Sequence, residues 1–253
     1  MPPLCDLINL PAHPLISIVG AGGKTTTMYT LASELAQRGG RVITTTTTQI
    51  FFPEQGQTGT LIVAAETPTL LRMISAAWQQ HRRVTVAGAV IRADKLAGLQ
   101  PEQPYELLMQ SGAGAVIVEA DGARHRMIKA PAEHEPVIPV HTNIAFVMMS
   151  AGAIDQPLSA EVAHRPERIA SVVDMSLGET LTPAHIARLM TSDQGALKHI
   201  PKDATTYLLI THTSLASRDA LTELVSLVRA SPQVAGVLCS EQPGAWSANR
   251  IGS

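Results

Sequence analysis

Short apolar runs of strand length alternate with helix-like patterns along this chain. Leu15–Val19 is one such run, and the residues after it carry apolar side chains at spacings of three and four from Met28 to Leu35, which is one face of a helix. The same alternation continues with apolar runs at 42–43, 61–64, 84–87, 115–118, 144–149, 207–210 and 234–239, and with helical patterns at 67–78, 102–110, 182–190 and 221–228.

Alternation of this kind is typical of βαβ units. We therefore predict an α/β fold with a mostly parallel sheet and helices on both faces. The stretch from about 155 to 202 is more helical and has fewer strand-like runs. It is expected to form a helical insertion or subdomain within a single domain over residues 1–253.

Composition excludes several classes of protein. Of the 253 residues, 45% are apolar and 16% are charged, the net charge is −2, and aromatic residues make up only 3%. A nucleic-acid partner is not expected, because there is neither a basic field nor a supply of stacking side chains. No signal peptide and no apolar run of about 20 residues is evident, so a cytoplasmic protein with no membrane partner is expected. Cys5 and Cys239 lie far apart with no CxxC motif, which favours packed thiols.

The stretch ISIVGAGGKTTTMYT, residues 16–30, has the parts of a phosphate-binding loop. A strand ends in glycines that let backbone N–H groups approach phosphate oxygens, and a helix begins where its positive end meets them. In this interpretation Lys24 contacts the terminal phosphates and the Thr25 hydroxyl ligates Mg²⁺. The predicted nucleotide-binding residues are Gly20, Ala21, Gly22, Gly23, Lys24, Thr25 and Thr26. The single domain over residues 1–253 is therefore predicted to be a P-loop-type nucleotide-binding domain.

The spacing of this loop departs from the common GxxxxGK[ST] form. That form needs a glycine six residues before the lysine, where this chain has Ile18; its first glycine, Gly20, stands four before Lys24. The shorter loop is similar to the one with which Mur ligases and folylpolyglutamate synthases hold ATP. A glycine-rich turn before a helix, with no ligand, is the structural alternative.

A carboxylate on a neighbouring strand is needed to position Mg²⁺. The sequence AVIVEADG supplies Glu119 and Asp121 directly after an apolar run. Glu119 follows that run at once and is the better candidate for the metal side, whereas Asp121 either holds the metal or orients the attacking water. Thr25, Glu119 and Asp121 are therefore the metal candidates, and Lys24, Glu119 and Asp121 the catalytic ones; solvated acids at a strand end are the alternative.

Three further stretches are candidates for a substrate or switch loop near this site. The segment after Asp121 is dense in charge and is held extended by prolines. Its Glu133-His134-Glu135 cluster is also a weak metal-ligand candidate. The second stretch is a threonine run at the end of the second strand, which could instead serve only as strand-forming residues. The third is the arginine of HRPE, which could instead form a surface ion pair. The candidate residues are Thr46, Thr47, Arg124, Lys129, Glu133, His134, Glu135 and Arg165.

Together, GAGGKTT, the threonine run, VEADG followed by KAPAEHEPVIP, and HRPE resemble the YqeC-type family. These are predicted accessory proteins for selenium-dependent molybdenum hydroxylases. The resemblance covers nearly the whole chain. It implies a P-loop-type protein that binds nucleotide through Gly20 and Gly22–Thr26 and metal through Glu119 and Asp121. The implied partners are the nucleotide and a molybdenum hydroxylase or its cofactor-assembly proteins.

Three functions follow from this interpretation: an NTP hydrolase that assists cofactor maturation, an ATP-dependent ligase or kinase acting on a small cofactor precursor, and a nucleotide-binding switch without turnover. The expected ligands are Mg²⁺ and ATP. GTP is less favoured, because LLITHTSLAS stands where many guanine-specific proteins carry Asn/Thr-Lys-x-Asp, and no aspartate follows His212 in register.

Overall fold

The protein is described from a computed structural model, which covers residues 2–242 and 246–248. Its strands are β1 (Leu15–Gly20), β2 (Val42–Thr46), β3 (Gln49–Phe51), β4 (Thr60–Val63), β5 (Arg83–Ala87), β6 (Ala89–Arg92), β7 (Lys95–Ala97), β8 (Ala115–Glu119), β9 (Ile128–Lys129), β10 (Ile144–Ser150), β11 (Ala163–His164), β12 (Thr205–Thr211), β13 (Gly236–Ser240) and β14 (Trp246–Ala248). Its helices are α1 (Leu4–Leu7), α2 (Lys24–Gln37), α3 (Thr67–Ala77), α4 (Gln103–Gln110), α5 (Pro166–Val173), α6 (Pro183–Met190) and α7 (Arg218–Arg229).

A nine-stranded sheet forms the centre, in the order β14-β13-β12-β10-β1-β8-β2-β5-β4. Its neighbouring strands pair in parallel, except that β14 runs antiparallel to β13. Strand β1 lies near the middle, with β8 on one side and β10 on the other. The predicted α/β class with a mostly parallel sheet is confirmed.

Both faces of the sheet are covered, because successive side chains of a strand point to opposite faces. On β1, Leu15 and Val19 join one buried cluster, which also holds the apolar faces of α3, α4, α5, α6 and α7. Ile16 and Ile18 join a second cluster with α1 and α2. The sequence at 155–202 lies between β10 and β12 and contains α5, α6 and the short strand β11, as the predicted helical insertion requires.

A small antiparallel sheet, β3-β7-β6, was not predicted. Its strands have only three or four residues, and the apolar stretch AVIR of β6 follows β5 after a single residue, so the sequence does not mark them as a separate sheet. Ile50 and Leu96 anchor this sheet in the cluster on the α2 face. A second small sheet pairs β9 with β11. Within the described residues, no helix is both long and apolar enough to cross a membrane.

Candidate functional site

The loop between β1 and α2 requires glycine at specific positions. Gly20, Gly22 and Gly23 have φ angles of 97°, 80° and 104°. A Cβ atom at Gly20 would lie 2.2 Å from the carbonyl oxygen of Met148, and one at Gly22 would lie 2.6 Å from the backbone nitrogen of Ser150. Both contacts are with backbone atoms, which cannot relieve the clash by changing rotamer as a side chain can. The sequence GAGG is therefore what lets this loop pass so close to β10.

Contacts from three neighbouring strands or their ends hold the loop. The Ala21 N–H donates to the Met148 carbonyl at 2.9 Å. The Gly20 N–H donates to Asp121 Oδ2 at 3.0 Å, and the Thr211 hydroxyl donates to the Gly22 carbonyl at 2.7 Å. Since these partners belong to β10, the end of β8 and β12, the central sheet itself fixes the shape of the loop.

Lys24 is the first residue of α2 and is buried. Its Nζ donates to the Gly20 carbonyl at 2.9 Å, and lies 3.3 Å from Asp121 Oδ1 and 3.7 Å from Glu119 Oε1. Burial by itself lowers the pKa of Lys24, but the charges of Asp121 and Glu119 outweigh it and raise the pKa. The lysine therefore keeps its positive charge at the mouth of the glycine loop.

The two predicted carboxylates lie in different surroundings. Glu119, the last residue of β8, accepts a hydrogen bond from the Thr25 hydroxyl at 2.7 Å, and both residues line the main cavity. Burial raises the pKa of Glu119, although Lys24 and Thr25 act against that rise. Asp121 lies behind the loop, away from the lining of the main cavity. Glu119 is thus the carboxylate placed to meet a ligand with Thr25.

Asp121 begins a chain of alternating charges that runs away from the loop. Lys129 Nζ lies 2.9 Å from Asp121 Oδ2 and 3.0 Å from Glu135 Oε2, and donates to the Gly122 carbonyl at 2.7 Å. Arg165 grips Glu135 with two hydrogen bonds of 2.8 and 3.0 Å. Burial alone would raise the pKa of Glu135, but Arg165 and Lys129 lower it to about 2. The charged segment is therefore tied to the loop by buried ion pairs.

A cavity of about 970 Å³ opens in front of the loop, at the upper end of the size range of small-molecule sites. Six cationic side chains line it, against the carboxylates of Glu119 and Glu135. The cations are Lys24, Arg92, Lys95, Arg124, Arg126 and Arg165, with His125, His134 and His164 beside them. In a chain whose net charge is −2, this is a concentrated positive region, which is suited to an anionic ligand.

The two predicted threonines make backbone contacts. The Thr46 hydroxyl donates to the Glu119 carbonyl at 2.6 Å, and the Thr47 hydroxyl donates to the Val137 carbonyl at 2.6 Å. Neither of them lines the cavity, whereas Thr48 does. The threonine run therefore fixes the ends of β2 and β8 and the path of the charged segment beside them.

The predicted charged residues divide between the cavity and its surroundings. Arg124, His134, Glu135 and Arg165 line the cavity, whereas Lys129 is buried behind it and Glu133 is exposed outside it. The Glu133 carbonyl accepts a hydrogen bond from Lys198 at 2.7 Å. Within residues 2–242 and 246–248, no three His, Cys, Asp or Glu side chains gather as a metal site.

Sequence reasoning missed the residues on the far side of the cavity. Phe51, Arg92 and Lys95 come from the small β3-β7-β6 sheet, and His125 follows Arg124 in the charged segment. The available signal was Phe51-Phe52, an aromatic pair in a chain with few aromatic residues. Arg124, His125 and Arg165 also have positive φ angles of 49°, 58° and 63°. Left-handed backbone at non-glycine residues is typical of functional sites.

Fold and loop together define an α/β protein in which a glycine-rich loop joins the central parallel strand to a helix bearing lysine and threonine. The chain belongs to the YqeC family, as its motifs predicted: the model of the family described as YqeC protein matches residues 16–167. Over 197 residues the chain is 30% identical to the uncharacterized protein YqeC of Escherichia coli (strain K12), a match covering 74% of this chain and 72% of that protein.

Solved structures give weaker likenesses. FtsY from Mycoplasma mycoides has a TM-score of 0.40 at 10% identity, and the signal recognition particle 54 kDa protein from Aeropyrum pernix K1 has 0.41 at 13%. The match covers 94% and 96% of this chain but only 65% and 45% of those chains. Likenesses at this level say nothing about what the present chain binds.

Proposed function

We propose that this protein binds Mg²⁺·ATP in the cavity in front of the glycine loop and hydrolyses it. The observation that carries the proposal is the contact between the Thr25 hydroxyl and the Glu119 carboxylate at the start of α2, beside the protonated Lys24 and facing a cationic cavity. The loop N–H groups and Lys24 would hold the phosphate oxygens.

The pair of Thr25 and Glu119 fits Mg²⁺ in kind, because both side chains present the hard oxygen ligands that this cation prefers. When bound, the cation would neutralise negative charge that develops on the phosphate oxygens. Glu119 lines the cavity and Asp121 does not, so Glu119 is also our candidate for orienting the attacking water. Asp121 has a supporting role in this proposal, since it accepts from the Gly20 N–H and balances Lys24 and Lys129.

The biological role that we propose rests on the family resemblance, and the choice of nucleotide rests on the sequence. The resemblance to predicted accessory proteins supports a role in maturing a selenium-dependent molybdenum hydroxylase in the cytoplasm, with that enzyme or its assembly proteins as partners. ATP is favoured over GTP because no aspartate follows His212 in register to read guanine, and His212 itself contacts the Ser150 hydroxyl at 3.2 Å.

The test is calorimetric titration of the purified protein with ATP, ADP and GTP, each with Mg²⁺. Saturable binding of adenine nucleotides and phosphate release from ATP are expected. Lys24→Ala should weaken binding at least about 100-fold, because charge-assisted contacts to phosphate are lost. The matched control is Lys202→Ala, at an exposed lysine outside the cavity.

Lys24 is buried between two carboxylates, so its removal also destabilises the fold. Thr25→Val separates the two effects, since it keeps the side-chain shape and removes one hydroxyl. This variant should remain folded by circular dichroism and lose the Mg²⁺ dependence of nucleotide affinity. Binding that is unchanged in both variants would refute the loop assignment, and tight binding without phosphate release would favour a nucleotide switch.

A second candidate is phosphoryl transfer to a small acceptor. The observation that favours it is that the cavity extends well past Lys24 and Thr25, to Phe51 and Lys95 on the small sheet. Water alone needs no such space. In this reaction an acceptor oxygen forms the new bond to the terminal phosphorus, the bond to the β-phosphate oxygen breaks, and ADP leaves.

A further inference from the structure

The side of the cavity opposite the glycine loop has cationic side chains and an exposed aromatic ring. We call Phe51, Arg92, Lys95, Arg124 and His125 the outer wall. Three of these residues come from β3, β6 and β7, and two from the charged segment. In the central sheet, β8 and β2 lie on one side of β1 and β10 and β12 on the other. The outer wall belongs to the β8–β2 side, where Thr25 and Glu119 meet.

Among the described residues, two of the three cations of the outer wall have no ion pair with a carboxylate of the protein, whereas the third, Arg92, pairs with Asp94 at 3.0 Å. Of the two carboxylates lining the cavity, Glu119 faces Lys24 and Thr25, and Glu135 is held by Lys129 and Arg165. In the described part of the chain, Lys95 and Arg124 have no carboxylate within 4.0 Å. An anionic ligand would supply the partner that Lys95 and Arg124 lack.

The outer wall also has an exposed aromatic ring. Phe51, one of only three phenylalanines in the chain, is 47% exposed. Lys95 Nζ lies 4.8 Å from the centre of its ring, and the His125 ring lies 6.0 Å away in a stacked arrangement. An aromatic ring beside an unneutralised ammonium group matches a flat molecule that carries negative charge.

We propose that the outer wall binds a second substrate, a planar organic anion such as an aromatic or heteroaromatic carboxylate or phosphate. Its ring lies against Phe51 and its anionic group meets Lys95 and Arg124, next to the terminal phosphate of the nucleotide. This inference rests on the proposed nucleotide site and names the class of acceptor that the site takes.

Fluorescence titration with 7-methoxycoumarin-3-carboxylate tests the proposal. The probe is flat, fluorescent and negatively charged, and its carboxamide has the same ring without the charge. The protein is first saturated with Mg²⁺ and a non-hydrolysable ATP analogue. Saturable binding of the carboxylate is expected, with the carboxamide at least about tenfold weaker. Phe51→Leu and Lys95→Gln should each weaken the carboxylate about tenfold.

Matched controls separate a site from general surface attraction. Phe52→Leu changes the neighbouring exposed phenylalanine, which does not line the cavity, and Arg82→Gln removes an exposed cation elsewhere. Neither should change the affinity for the carboxylate. Equal losses in the controls, equal binding of the carboxamide, or no saturable binding would overturn the proposal.

Nucleotide affinity is measured in the same samples, so the two proposals fail separately. If the nucleotide binds and the carboxylate competes with it, the outer wall belongs to the nucleotide site and the second-substrate proposal is wrong. If the nucleotide does not bind, the proposed function fails. The titration without nucleotide then tests whether the outer wall binds an anion by itself. Carboxylate binding that is weakened by Phe51→Leu and Lys95→Gln would support an anion site, and no such binding would overturn it.

Discussion

The two sides of the cavity are built in opposite ways. On the loop side, Lys24 is buried between carboxylates and the backbone is held by hydrogen bonds from neighbouring strands. On the outer wall, Phe51 and Arg124 are exposed and Lys95 has no ion pair within the described residues. On the loop side the charge of Lys24 is balanced by carboxylates of the protein. On the outer wall, Lys95 and Arg124 have no such partner among the described residues. One side is suited to fixing a phosphate chain, and the other to accepting a variable anion.

The largest loss of stability is expected from a substitution at Gly20, on the loop side. Gly20→Ala should cost about 3–4 kcal/mol of unfolding free energy, because the new Cβ meets the Met148 carbonyl and the backbone has a positive φ angle. The matched control is Gly39→Ala, which also has a positive φ angle but nothing within 4 Å of the added atom. It should cost only about 1–2 kcal/mol. Urea unfolding measures both, and equal losses would contradict the close approach of loop and strand.

A smaller effect is expected at Glu135, the cavity-lining carboxylate that pairs with Lys129 and Arg165. Its pKa of about 2 in the folded protein lies below the ordinary value of 4.5. The ionised group therefore stabilises the fold above about pH 4.5, and this stabilisation is lost as the pH falls toward 2. Glu135→Gln should cost about 2–3 kcal/mol at pH 7 and much less near pH 3.

The control for this change is Glu133→Gln, two residues away on the same segment but exposed and outside the cavity. It should leave the dependence of stability on pH almost unchanged. Urea unfolding at several pH values is the measurement. Parallel but offset curves for the wild type and Glu135→Gln would contradict the predicted dependence on the ionisation of Glu135, and coincident curves would show that its contacts with Arg165 and Lys129 contribute nothing to stability.

The smallest effect is expected on the outer wall. Lys95→Gln should change the unfolding free energy by less than about 0.5 kcal/mol, since Lys95 is only partly buried and its one described close partner is the exposed Phe51 ring. Thermal unfolding measures this. A loss of 2 kcal/mol or more would mean that the outer wall supports the fold in the way the loop side does, and the contrast between the two sides would no longer hold.

The loop side was predictable from the sequence for physical reasons. A buried parallel strand is a continuous apolar run, so Leu15–Val19 and Ala115–Val118 were both visible, and the polar residues directly after them had to lie at one edge of the sheet. Because β1 and β8 are neighbours, Lys24 and Glu119 do meet. The meeting of these two side chains therefore followed from the loop motif and the strand ends, and their roles toward a nucleotide stay a prediction.

The outer wall was not predicted, because its strands do not stand out along the chain. β3 and β7 have three residues each, and β6, although its sequence AVIR is largely apolar, follows β5 after a single residue, so periodicity does not separate these strands as a sheet of their own. The ion pairs that join Lys129 and Arg165 to Glu135 depend on where β9, β11 and the charged segment pack. Spacing along the chain does not contain that information.

Anchoring the glycine loop from β10, β12 and the end of β8 has a consequence for the kinetics of ligand capture. A loop whose backbone is already fixed loses little conformational freedom when a ligand arrives, so little of the binding free energy is spent on ordering it. If phosphate binds at this loop as proposed, its capture should be governed by diffusion into a positively charged opening, and the rate should fall as salt screens that charge. In this molecule the central sheet settles the shape of the loop at the moment of folding, and each encounter with a ligand begins from that shape.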